Sequence, residues 1–201
     1  MFCSDCLRQV NDRCDDCLNI ETIALNAIAQ ELANRMGMPV LEWAKPTYER
    51  IVYHEMGHAI LAATTPGFIV KDLCIDEGAT PGQPMGYINF THPKYIIDDK
   101  VDDVMILNVL SVLSAGIECE RHFFTEVSAD AYSGDMRDMR KIIRNFYGNS
   151  EVFETQFAKL AHGQARTLIK EYENLIYDLS EEIIDNKLTR VEFDSRGRMI
   201  Y

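Results

Sequence analysis

Positive charge is scarce in this chain: 20 lysines and arginines stand against 32 aspartates and glutamates, a formal net charge of -12. No basic stripe compensates, so the surface repels phosphate backbones and nucleic-acid binding is excluded as a main activity. Long apolar runs are missing too. The longest, "VMILNVLSVLSAGI" from Val104 to Ile117, covers 14 residues. A membrane-crossing helix needs about 20, so this run reads as a buried core helix. The first residues, "MFCSDC", carry no basic segment leading into an apolar one. A soluble, cytoplasmic protein without a membrane segment is the expectation. Histidine is rare as well, five in 201 residues, so a pair of histidines at a ligand spacing carries weight.

Hydrophobic residues make up 47% of the chain, ample for one core with a small appendage. Four of the six cysteines crowd into the first 17 residues as Cys3-x-x-Cys6 and Cys14-x-x-Cys17. In a reducing compartment such crowding points to metal rather than disulfides. Each pair can clamp two thiolates onto one tetrahedral zinc, which makes residues 1–18 a four-cysteine knuckle with a structural zinc. The competing reading is a redox-labile or disordered tail. Four thiolates leave no open position, so the expected role is structural or the docking of a protein partner. Cys74 and Cys119 sit alone in apolar surroundings and read as core residues.

An amphipathic helix near Ile20 to Met36 and a connector ending at Pro46 fill residues 19–46. The main domain is expected over 47–201. Its first helix starts at Thr47, a suitable N-cap, and stops at Thr65-Pro66-Gly67. Two β-prone runs, Ile69 to Ile75 and Met85 to Phe90, flank a Gly/Pro-rich connection and read as a small antiparallel sheet. A long helix from about Asp99 to Phe124 follows. A loop, "TEVSADAYSG", leads into a helix from about Asp135 to Tyr147. One or two helices cover Glu151 to Asn186, with Gly163 as the candidate break. The last dozen residues read as an extended tail. The fold class is mainly α with one small sheet inserted after the first helix of this domain.

That first helix spells His54-Glu55-Met56-Gly57-His58. Positions i and i+4 of a helix project from one face, one turn apart, so His54 and His58 can direct two imidazole nitrogens at one ion. Glu55 points to an adjacent direction, where it can take a proton from water activated by that ion. Gly57 costs about 1 kcal/mol relative to alanine, a cost explained if another backbone or the substrate approaches there. Against this stands chance on a core helix, which three constrained positions make the weaker reading. A third ligand is still required. Glu118, Glu120, His122, Glu126, Asp130, Asp135 and Asp138 are all candidates, and spacing does not choose among them.

"VYHEMGHAILAATTPG" resembles the zinc helix of the FtsH-type proteases, the membrane-bound ATP-dependent metalloproteases. "MGYINF", "AGIECERHFF", "TEVSADAYSGDMRDMRKIIRNFYG" and "ARTLIKEYENLIYDLSEEIIDNKLT" resemble later segments of that peptidase domain in the family's order, over about residues 47–190. The resemblance implies a helical, zincin-like metallopeptidase fold. It implies His54, His58 and Asp135 as ligands of a catalytic zinc, Glu55 as the base, and Glu120 as support behind a ligand at best. On this reading Asp138 is a surface charge, His122 a packed helix residue, and His92 and His162 surface histidines. Asp135 has a competing role as a helix-start carboxylate. Tyr132 is either an oxyanion donor or a plain loop aromatic.

The chain departs from the family in Met56, in "AYSGD", and in having no G-x-x-x-x-G-K-[ST] phosphate loop. The expected function is therefore a zinc metalloendopeptidase acting on unstructured polypeptides or peptides without ATP-driven unfolding. The alternative is a catalytically silent protein that keeps the fold and its N-terminal cysteine site to dock partners.

Overall fold

The computed structural model describes residues 43–44, 47–76, 86–97, 100–124, 127–194 and 199–200. The segment with Cys3, Cys6, Cys14 and Cys17, the helix expected over 20–36 and the connection after Asp76 lie outside the described residues.

Helix α1, Tyr48–Thr64, opens where the sequence suggests: the Thr47 hydroxyl accepts from the Arg50 amide at 3.3 Å. It closes at Thr65, and Gly67, at φ +83°, turns the chain away. Every residue from Ile51 to Ala62 is buried, so α1 is wrapped on all sides. Strands β2 (Ile69–Ile75) and β3 (Gly86–Thr91) form the expected antiparallel pair. The sheet is wider than expected. The C-terminal tail folds back as β7 (Arg190–Phe193) and β8 (Met199–Ile200), giving the order β3-β2-β7-β8. Leu73 on β2 and Val191 on β7 pair and are both fully buried, which explains why the tail is held. Two short pairs complete the strands: β1 (Trp43–Ala44) with β6 (Val127–Ser128), parallel, and β4 (Ile96–Ile97) with β5 (Lys100–Val101), antiparallel.

Helix α2 spans Asp103–Phe123, shorter at its start than the sequence suggested. Lys100 and Val101 are taken by the β4–β5 pair, and Asp102 caps the helix by accepting from the Met105 amide at 3.0 Å. Helix α3 runs Ala129–Tyr147, so it begins six residues before Asp135 rather than at it. Helix α4, Glu151–Glu171, passes through Gly163 without a break; the chain divides at Tyr172, before α5 (Glu173–Asp185). The described chain is thus mainly helical with a small antiparallel sheet. Among the described residues, no helix is long and apolar enough to cross a membrane.

The two faces of α2 organise the core. Val109, Val112, Ala115 and Cys119 join α1 and the sheet in one cluster, while Ile106, Leu110 and Ile117 pack with Met136, Met139, Ile143, Ala158 and Ala161 of α3 and α4. Gly57 is a point of close approach between α1 and α2. A Cβ there would lie 2.7 Å from both the Ala115 oxygen and the Cys119 Cβ, so the backbone that its helix makes room for is that of α2.

Candidate metal centre

The His54 and His58 rings leave α1 toward α2 and meet edge to face, with centroids 4.8 Å apart. Each ring is fixed through Nδ1. His54 Nδ1 donates to Glu120 Oε1 at 2.7 Å, and His58 Nδ1 donates to the Val112 carbonyl at 2.6 Å. A carbonyl oxygen has no proton to give, so the proton sits on His58 Nδ1; the carboxylate dictates the same for His54. In the neutral rings both Nε2 atoms then present lone pairs. They lie 3.1 Å apart, and Asp135 Oδ2 lies 3.2 Å from one and 3.4 Å from the other. In that state three acceptors face one another, and either a proton on one Nε2 or a metal cation among them relieves the repulsion.

Zinc bonds to nitrogen and oxygen are about 2.0–2.1 Å, and two ligands of a tetrahedron then lie about 3.3–3.4 Å apart. The triangle of 3.1, 3.2 and 3.4 Å is close to that size. His54, His58 and Asp135 form a group of ligand atoms that could hold a metal ion. The donor set of two imidazoles and one carboxylate suits zinc and leaves a fourth position for water. Both imidazoles are buried and Asp135 is nearly so. Burial opposes the charged form of His54, yet Asp135 and Glu120 raise its pKa well above the usual histidine value. Burial likewise disfavours the Asp135 carboxylate, but the two imidazoles hold it well below the usual range.

Two glycines make the room. A Cβ on Gly116 would lie 2.3 Å from His54 Nε2, so the imidazole rests directly on the α2 backbone. A Cβ on Gly86 would lie 2.9 Å from Glu55 Oε1 and 2.6 Å from Ile51 Cγ2. The first residue of β3 therefore touches the Glu55 side chain. Glu55 is buried, and that burial pushes its pKa up despite the opposing effect of the two histidines. Among the described residues β3 is the end strand of its sheet.

The other candidate ligands go elsewhere. Glu118 is buried against α4, where His162 Nδ1 donates to Oε1 and Arg166 Nε to Oε2, each at 2.9 Å, and Arg121 pairs with Oε1. Burial alone would raise its pKa, but His162, Arg121 and Arg166 outweigh it and hold the group at about 2. Glu120 meets the site at His54, with Arg50 Nη1 3.8 Å from its other oxygen. Asp138 is exposed beside Arg137, as expected. The side chains of Glu126, Asp130 and Tyr132 lie outside the described residues.

Four expectations need correction. His162 is buried rather than at the surface, because α4 continues through Gly163 and turns position 162 onto α2 with Ala158, Ala161 and Ala165. That spacing was visible in the sequence. His122 is exposed rather than packed: it sits in the last turn of α2 and meets Glu173 Oε2 at 2.8 Å. His92 is half-buried rather than at the surface, its ring 4.7 Å from that of Tyr95. Cys74 is half-buried rather than in the core, whereas Cys119 is buried as expected. Arg50, Gly86 and the Val112 carbonyl were missed. A backbone acceptor leaves no signature in a side-chain pattern.

No family model matches the chain, and no curated protein does.

Proposed function

We propose that the protein is a zinc-dependent endopeptidase that cleaves unstructured polypeptides or peptides. The observation that supports this reading most is the convergence of His54 Nε2, His58 Nε2 and Asp135 Oδ2 beside a buried Glu55 that touches an end strand. A resemblance of residues 47–190 to the peptidase domain of FtsH-type proteases supports the same reading. A zinc ion held by those three residues would polarise a substrate carbonyl and bring the pKa of water to about 7. Glu55 Oε1 takes the proton of the attacking water and returns it to the leaving amine. Glu120 and the Val112 carbonyl hold the two imidazoles in the tautomer with a free Nε2. The edge of β3 that is unpaired among the described residues offers backbone partners to an extended substrate, which it would align past Glu55. The proposed substrates are segments that need no unfolding.

The test is Glu55→Gln. This variant should bind zinc as the parent does and lose cleavage of an unfolded test protein by about 10²–10⁴-fold. Undiminished cleavage with zinc retained would refute the proposal.

A further inference from the structure

A groove of about 320 Å³ lies between α1, the C-terminal end of α2 and α5, lined by Glu49, Tyr53, Phe123, Phe124, Tyr177 and Glu181, with Ile184 at its edge. Its residues on α1, Glu49 and Tyr53, are one turn apart. Tyr53 is turned about 160° around the helix from Glu55, so the groove does not open on the side where Glu55 meets β3. Tyr53 forms the back wall, with its ring 4.7 Å from Phe123 and 5.3 Å from Phe124. Its hydroxyl donates to Glu181 Oε1 at 2.9 Å, and Glu181 Oε2 makes no hydrogen bond or ion pair among the described residues. Glu49 makes no hydrogen bond or ion pair among the described residues, and Tyr177 is half exposed at 51%.

Rings and carboxylates together define a chemistry. The face of an aromatic ring attracts a cation, most strongly where water is partly excluded. A carboxylate with an unspent oxygen accepts a charge-assisted hydrogen bond about twice as strong as a neutral one. The protein already shows one such contact at this wall: the Arg50 guanidinium stands 4.7 Å from the centroid of Phe124. The volume is at the small end of ligand pockets, about 300–1,000 Å³, the scale of one long side chain rather than a cofactor. The net charge of -12 draws cations toward the surface in general.

We propose that this groove binds an arginine side chain of another polypeptide, its guanidinium lying on the Tyr177 ring and donating to Glu181 and Glu49. The planar fork suits both a ring face and a carboxylate, which a compact ammonium does not. The site is separate from the metal centre and needs no catalysis, so it holds whether or not the protein is a peptidase.

The test is a titration of the full chain with N-acetyl-arginine amide, followed by ligand-observed NMR, beside its uncharged isostere N-acetyl-citrulline amide. The arginine amide should bind saturably with a Kd on the order of 1 mM, and the citrulline amide should not. Glu181→Gln, which keeps an acceptor for Tyr53, and Tyr177→Ala should each weaken binding about fivefold. Both should unfold at the parent's temperature. Equal binding of the two amides would overturn the proposal by showing an uncharged shelf. Binding untouched by either substitution would overturn it by placing the cation elsewhere on the acidic surface, and so would no saturation below about 10 mM.

Discussion

Gly116→Ala isolates the proposed metal site from the rest of the fold. Two effects oppose each other. In a helix interior alanine is favoured over glycine by about 0.8–1 kcal/mol, and Gly116 lies in the middle of α2. The new methyl, however, would stand 2.3 Å from His54 Nε2, 2.4 Å from Cε1 and 2.6 Å from Cδ2. Comfortable carbon contacts need about 3.5–4.0 Å, so the ring must retreat by about 1 Å or more. Its Nδ1 is held by Glu120, and a forced side-chain shift of this kind costs about 1–3 kcal/mol. Stability should therefore fall by about 0–2 kcal/mol, which leaves the protein folded. Zinc binding should suffer far more, because a nitrogen displaced by about 1 Å from a bond of about 2.0–2.1 Å no longer coordinates. Loss of a residue that only supports a ligand costs about 10–100-fold in affinity, so a drop of more than about 100-fold is expected here. The assay is competition for zinc against a chromophoric chelator, with circular dichroism as the check on folding. Gly163→Ala is the control: it meets no atom within 4 Å on α4 and should stabilise by about 0.5–1 kcal/mol with zinc affinity unchanged. A folded Gly116→Ala protein that binds zinc as tightly as the parent would refute the three-ligand geometry.

Glu120→Gln keeps an acceptor for His54 Nδ1 but removes its charge, and should weaken zinc binding about 10–100-fold; chelator competition equal to the parent's would count against its part. Glu118 gives a pH dependence. Its pKa is about 2 in the folded protein against 4.5 as the ordinary value, and at about 1.4 kcal/mol per unit this amounts to about 3 kcal/mol. The folded value is the lower one, so the contribution is fully present above about pH 4.5 and is lost as pH falls through about 2. Urea unfolding from pH 6 to pH 2 should show the parent losing its advantage over Glu118→Gln across that window. Parallel curves would show that His162, Arg121 and Arg166 do not hold the carboxylate as described.

What the sequence disclosed about the site was local. Thr47 and the Thr65-Pro66-Gly67 stop bracket α1, and an i,i+4 pair of histidines needs nothing beyond the helix that carries it. The third corner was different. Asp135 lies 77 residues beyond His58, and no spacing links them; seven candidates stood level until a family resemblance separated one. Even then its setting was misread. Ser133 and Gly134 looked like the end of a loop, whereas α3 runs through them, with open space at Gly134. Helix propensity weighs about 1 kcal/mol at such a glycine, less than the burial of Met136, Met139 and Ile143 on the same helix. The same competition hid His162, since Gly163 read as a break although the stripe of Ala158, Ala161 and Ala165 continued past it. The sheet was half legible for a related reason. A short tail strand such as Arg190–Phe193 has too few residues to show a period, and its pairing with β2 and β8 defines it.

Charge explains why the metal should also matter to the fold. Glu55, Glu120 and Asp135 are largely withdrawn from water around two imidazoles, with Arg50 Nη1 3.8 Å from Glu120. Burying charge costs several kcal/mol per ion, and a divalent cation among the three ligand atoms would offset part of that cost. Binding to the folded state alone adds about 4 kcal/mol when free zinc is 1,000 times its Kd. For a chain of this size each kcal/mol moves the midpoint by about 2–4 °C, so saturating zinc should raise the thermal midpoint of chelator-treated protein by about 8–16 °C. His58→Ala should show no such rise. A parent protein whose midpoint is indifferent to both chelator and zinc would mean that protons alone settle the charge at this site, and the proposed metal centre would fall with it.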